Sequence, residues 1–225
     1  LGEMAAAGVL MQSNIKFNGA LVLQVMGDGP LKLAVADVNS DLTLRATANA
    51  QGDVPAGATL SELVNVNGSG RCAITLDPKD RRPGQQPYQG VVPLQDVDGK
   101  KFARLSDALQ FYMLQSEQLD TTIVLAANEQ VAAGLMIQRM PVKGEANLAG
   151  ATESAEQSDD RNGFNEDYNR IAHLAASLTR DELLTLDVDT ILRRLFWEEK
   201  LLRFAPQQGE EEGPRFACTC SRERV

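Results

Sequence analysis

Two apolar runs, Ala20–Met26 and Leu31–Val38, flank the tetrad Gly27-Asp28-Gly29-Pro30, and this arrangement constrains the chain more than any other feature. A short turn-rich connection between two such runs predicts a β-hairpin, and therefore antiparallel pairing in the fold. Asp41–Ala48 alternates again, with Leu42 and Leu44 on one side and Thr43, Arg45 and Thr47 on the other, as in a sheet with one wet face. Gly52–Gly57 reads as a turn, Arg71–Leu76 as a short strand containing Cys72, Asp77–Gln86 as a loop, and Tyr88–Leu94 as a return to strand. Ser106 or Asp107 is placed to cap a helix running to about Gln118, with Leu105, Leu109, Tyr112 and Met113 at helical spacing. Thr121–Ala127 and Val131–Met140 form a second strand pair. Leu1–Met11, small and apolar without a basic leader region, reads as the tail of a helix whose beginning is missing. The fold class is α+β, with residues 1–145 as a core domain built mostly on antiparallel sheet.

The pattern then changes. Residues 146–163 are polar and acidic, carrying Glu153, Glu156, Asp159 and Asp160, and read as a linker. Residues 164–205 read as a helical linker domain. Tyr168, Ile171, Ala172, Ala175 and Leu178 make one apolar stripe, and Ile191, Leu192, Leu195 and Phe196 make another. Thr179 and Glu182 between them match a capping box. Three short helices cannot easily bury these stripes among themselves, so they need another surface to lie on. Leu201–Ala205 reads as a short strand, and Gln207–Pro214 as an acidic loop opening the terminal segment 206–225.

Charge and composition exclude several functions. With 22 basic and 31 acidic side chains, the net charge is −9, which argues against a nucleic-acid partner. No apolar run has the ~20 residues of a membrane helix. The only histidine is His173, which leaves little for a histidine-rich metal site or a Ser–His–Asp triad. It sits beside a helix stripe, where packing or capping suits it better than catalysis. Three cysteines in 225 residues make no disulfide framework and point to a reducing compartment, hence the cytoplasm. Cys72 reads as a buried small hydrophobe. The Cys218-x-Cys220 pair is the one constellation with chemical content: as thiolates it supplies half of a tetrahedral zinc site, and as thiols it can close to a disulfide. Arg215, Arg222 and Arg224 favour the thiolate needed for either. Gly27-Asp28-Gly29 lacks the following helix that phosphate binding needs, and the carboxylates from Glu153 to Asp167 lack the spacing of a calcium loop. No nucleophile, base and oxyanion donor assemble from the remainder, so the chain does not read as an enzyme.

The terminal run Phe216-Ala-Cys-Thr-Cys-Ser-Arg-Glu-Arg-Val225 resembles the start of the zinc-binding tail in the bacterial thirty-three-kilodalton heat-shock chaperone family. The resemblance continues upstream through Ile191-Leu-Arg-Arg-Leu-Phe-Trp-Glu-Glu199, Asp181-Glu-Leu-Leu-Thr-Leu-Asp187, Ser116-Glu-Gln-Leu119, Tyr88-Gln-Gly-Val-Val92, and Lys16-Phe-Asn-Gly19 followed by Gly27-Asp-Gly-Pro30. It implies a redox-regulated, ATP-independent holdase that binds unfolded clients under oxidative stress and is a homodimer when active. Cys218 and Cys220 map onto the first half of a four-cysteine zinc site and onto a redox-active disulfide. The later C-x-x-C has no counterpart here, so the C-terminal zinc domain is expected to be largely absent from this chain and Zn²⁺ weakly held. Ile171, Leu174, Leu178, Leu192, Leu195 and Phe196 are then the client-binding surface, bared when zinc leaves. Two other readings stay open: a thiol–disulfide oxidoreductase using the C-x-C pair, and a zinc-dependent adaptor.

Overall fold

The computed structural model describes residues 1–81, 84–140, 166–202 and 213–218. Helix α1 (Gly2–Asn14) leads into β1 (Gly19–Met26), β2 (Leu31–Asn39) and β3 (Thr43–Ala50). Helix α2 (Leu60–Val64), β4 (Arg71–Pro78), β5 (Tyr88–Pro93) and α3 (Leu105–Glu117) follow. Then come the hairpin β6 (Thr121–Ala127) and β7 (Ala132–Gln138), the helices α4 (Glu166–Ala176), α5 (Arg180–Thr185) and α6 (Val188–Phe196), and the two-residue β8 (Arg215–Phe216). No helix among the described residues is long and apolar enough to cross a membrane. The α+β class with a mostly antiparallel sheet is as the patterning predicts.

A six-stranded sheet runs β5-β4-β1-β2-β3-β8, antiparallel throughout except where β8 joins β3 in parallel. The β1–β2 hairpin turns at the Gly-Asp-Gly-Pro tetrad, which does more than reverse the chain. A Cβ on Gly27 would lie 1.6 Å from the Val64 carbonyl oxygen, and one on Gly29 2.2 Å from that of Leu63. Only glycine lets the turn approach the backbone of α2 so closely. Between them the Asp28 carboxylate accepts the Asn67 N–H at 3.1 Å, the Ser69 N–H at 3.2 Å and the Ser69 hydroxyl at 2.7 Å. The turn thereby orders the loop that feeds β4. Sequence reading left α2 unmarked, although Thr59-x-x-Glu62 matches a capping box and Leu60, Leu63 and Val64 stand at i, i+3 and i+4.

Two local expectations are corrected. Leu42 does not share a strand face with Leu44; it sits in the left-handed region at φ 59°, ahead of β3. Thr43 is buried instead, its hydroxyl donating to the Asp41 carboxylate at 2.6 Å and its N–H at 3.0 Å. Helix α3 begins one residue before Ser106, and Asp107 caps it from inside the first turn by accepting the Arg104 N–H at 3.1 Å. It ends on a left-handed residue, Gln118 at φ 58°, with the Leu119 N–H reaching the Met113 carbonyl at 3.0 Å.

Helices α1 and α3 fill the space between the large sheet and the β6–β7 hairpin. Their inward residues, including Met4, Ala7, Met11, Ala108, Leu109 and Tyr112, join Leu21, Leu23, Val25, Cys72 and Ile74 of the sheet in one core. On the far side of β6–β7 lie α4, α5 and α6. The order of layers is sheet, helices, hairpin, helices. The acidic linker expected at 146–163 lies outside the described residues. Leu201 and Leu202 are exposed and in no strand, contrary to expectation, because no described strand lies alongside to pair with them; residues 203–205 of that expectation lie outside the described set.

Hydrogen bonds from Ser69 and from the backbone of residues 66, 67 and 69 hold the Asp28 carboxyl at about 2, below its ordinary 3.8. A depressed carboxyl contributes stability that is present above its ordinary value and lost as pH falls toward the folded one. Asp28→Asn is therefore expected to be less stable than the wild type near pH 7. That difference should shrink as pH drops from about 4 to about 2, as read by urea denaturation. A difference constant down to pH 2 would contradict the account.

Candidate functional site

The β6–β7 hairpin carries apolar residues on both faces. Ile123, Leu125 and Met136 point to the α1–α3 side and belong to the main core. Val124, Ala126, Ala133, Leu135 and Ile137 point the other way, into a second cluster. The register fixes this division, since Ile123 faces Met136 and Val124 faces Leu135 across the pair. An apolar second face needs a cover, and α4, α5 and α6 supply it.

All six residues of the predicted client-binding surface lie in that cover. Leu178, Leu195 and Phe196 are buried, 5%, 2% and 4% exposed respectively, while Ile171, Leu174 and Leu192 are half-buried against them. Ala175, Leu183 and Ile191 complete the buried set. Helices α5 and α6 are started by local chemistry. Thr179 accepts the Glu182 N–H at 3.3 Å and Glu182 accepts the Thr179 N–H at 3.0 Å, as the sequence predicted. Asp187 accepts the Thr190 N–H at 2.9 Å at the start of α6. Among the described residues the polar ties to the core are few: Tyr168 of α4 hydrogen-bonds Thr122 of β6. Arg180 reaches Glu3 of α1 at 3.1 Å and donates to the Ala127 carbonyl oxygen of β6. Arg194–Glu182 at 2.9 Å and the Arg170 pairs with Asp167 and Glu199 lie within the helical layer itself. Surface pairs of this kind contribute about 0–1 kcal/mol each, so apolar burial holds the layer in place.

Next to this layer in sequence order is the thiol segment. The Arg215 N–H donates to the Leu42 carbonyl at 3.2 Å and the Ala217 N–H to that of Leu44 at 3.0 Å, and Arg215 pairs with Asp41 at 3.5 Å. Cys218 follows directly and is exposed. Cys220 lies outside the described residues. Cys72 is wholly buried, and burial pushes its thiol up to about 12, as a buried hydrophobe rather than a ligand. His173 is exposed, contrary to a packing role; its Nδ1 lies 2.6 Å from the Asn169 carbonyl oxygen of its own helix. That contact leaves it as a local feature of the last turn of α4. No group of three metal-ligating side chains forms among the described residues, so those residues do not by themselves complete a zinc site.

The profile of one protein family, described as Hsp33 protein, matches residues 1–225. The chain belongs to the Hsp33 family. It is 41% identical to the 33 kDa chaperonin of Chromobacterium violaceum over 225 residues, covering 100% of this chain and 65% of that protein. It is likewise 41% identical to the 33 kDa chaperonin of Methylobacillus flagellatus, covering 66% of it. The chain thus spans about two thirds of the length of these curated Hsp33 relatives. The crystal structure of the 33 kDa chaperonin (heat shock protein 33 homolog) from Thermotoga maritima matches with a TM-score of 0.67 at 18% identity. That match covers 100% of this chain and 68% of the other. It places the present architecture within the Hsp33 fold.

Sequence reasoning located the helical cover but named no residue of the face it covers. The signal was available: Ile123–Ala127 and Ala132–Ile137 hold no charged or strongly polar residue at alternate positions, the mark of a strand buried on both sides. The β8 contact had no comparable signal, because a two-residue strand has no period to read.

Burial separates the described thiols. Iodoacetamide at pH 8 is expected to label Cys218 in the native protein and Cys72 only after unfolding, as read by peptide mass spectrometry. Native labelling of Cys72 at a similar rate would contradict the packing described.

Proposed function

We propose that the chain acts as a redox-regulated, ATP-independent holdase that binds unfolding proteins and keeps them from aggregating. The observation that carries this reading is the apolar interface between the outer face of β6–β7 and α4–α6. It is a cover of short helices, fastened chiefly by burial and followed along the chain by a cysteine pair. Lifting the cover bares Val124, Ala126, Ala133, Leu135 and Ile137 on the sheet. On the helices it bares Ile171, Leu174, Leu178, Leu192, Leu195 and Phe196. Contiguous apolar surface of that kind is what a non-native polypeptide binds. Membership of a family whose relatives are named 33 kDa chaperonins supports the same reading.

The switch in this proposal is Cys218 with Cys220. Under reducing conditions they would provide two of the four thiolates of a zinc site; the 225 residues hold no C-x-x-C to provide the other two. Bound there, zinc would supply folding free energy to the tail. On oxidation by a peroxide the S–S bond forms as the O–O bond breaks. Two electrons pass from the two thiolates to hydrogen peroxide, whose oxygens take up two protons from solvent and leave as two molecules of water. The loss of tail structure then removes support from the adjacent helical layer. The active species is proposed to be a homodimer and the site of action the cytoplasm, where thiols are kept reduced at rest.

With only half of a ligand set, the 225-residue chain is expected to behave as the derepressed form. In a thiol reductant, without ATP and at a one-to-one ratio, it should roughly halve the light scattering of a heat-denatured enzyme. Scattering identical to that of the client alone would contradict the proposal. The dimeric form should appear in sedimentation at micromolar and higher concentration, and a strict monomer there would remove the dimer from it.

A further inference from the structure

Among the described residues, the outer edge of β3 is the place where a distant segment is seated on a sheet in extended form, with Thr43 opposite Arg215 and Leu44 opposite Phe216. Among the described residues pairing stops there, and beyond Leu44 no described strand lies on this edge. A strand residue points its N–H and C=O to the same side, and the sides alternate along the strand. Because the Leu44 carbonyl accepts from β8, Ala46 and Ala48 are the next residues to present both groups outward. From Arg45 to Ala50 the side chains are exposed on both faces. The one charge, Arg45, is turned back onto Asp37 of β2 at 2.8 Å. Ala46, Thr47, Ala48, Asn49 and Ala50 are short and uncharged, with neither the lysines nor the prolines that usually protect a sheet edge.

We propose that the edge of β3 from Arg45 to Ala50 takes an extended segment of a non-native polypeptide by strand addition. Arg215–Ala217 acts as the chain's own occupant of the adjoining stretch. The proposal rests on the holdase reading and adds a second mode of capture to it. The outer face of β6–β7 and its helices select for apolar side chains, whereas the β3 edge binds main chain, which every unfolded protein offers whatever its sequence. Continuity with the β8 pairing is the argument for this occupant, since the edge already accepts extended chain and, among the described residues, has open positions in line with it. Release of Arg215–Ala217 would lengthen the available edge back to the Leu42 carbonyl.

The test is a titration of the 225-residue chain with a fluorescein-labelled protein kept unfolded by reduction and carboxymethylation, read by anisotropy. Ala48→Pro removes an outward N–H without breaking a bond to β2, and Ala48→Lys places a charge on the same edge should the proline variant fail to fold. Both are expected to weaken binding about tenfold. Ala217→Pro removes a donor that holds β8 and should tighten binding about threefold. If the wild type binds and the folded Ala48 variants bind equally well, strand addition is overturned and the holdase reading stands. If the wild type does not bind at all, the holdase reading fails and this proposal with it.

Discussion

A two-stranded sheet that is apolar on both faces has to be covered on both, and the layered arrangement follows from that requirement. The inner face of β6–β7 completes the main core through Ile123, Leu125 and Met136. The outer face presents Val124, Ala126, Ala133, Leu135 and Ile137 to helices too short to stand alone. Isolated helices of this length are marginal in water, so α4, α5 and α6 exist as helices because the hairpin gives their apolar stripes somewhere to go. The dependence is mutual: the hairpin face shields the helices and the helices shield the face.

That mutual dependence makes the cover removable. The main core is a large contiguous cluster crossing five strands and three helices, including Leu23, Leu94 and Leu109 at 0% exposure. The outer cluster has seven buried residues and, among the described residues, few polar ties to the core, through Arg180 and through the Tyr168–Thr122 hydrogen bond. Local opening draws on elements with few buried contacts, and the outer layer is the element of this fold that meets that description. In the proposed function, the energy gap between outer layer and core sets what opens and what persists. The core sheet remains as the platform on which a client is held.

Much of this was legible in the sequence where side-chain period and burial agree. The β1–β2 hairpin, the β6–β7 pair and the amphipathic stripes of α4 and α6 were all written in residue spacing, as was the Thr179 capping box. The stripes even announced that they needed a foreign surface. Where backbone conformation overrides period, the sequence misled: Leu42 looks like a strand residue by alternation but adopts a left-handed turn, handing the buried position to Thr43. Contacts made by main chain alone were invisible. The pairing of Arg215–Phe216 with β3 depends on edge geometry rather than side-chain pattern. The Gly27–Pro30 tetrad was readable as a turn. Its second role, pressing against α2 and binding residues 67 and 69 through Asp28, was not, because those partners are distant in sequence.

The central claim is that the helical layer over β6–β7 opens while the core sheet stays folded. Amide hydrogen exchange on the reduced 225-residue chain tests it most directly. The account predicts that peptides spanning 166–196 exchange well before those spanning β1, β2 and β4. Equal protection in both sets would contradict it.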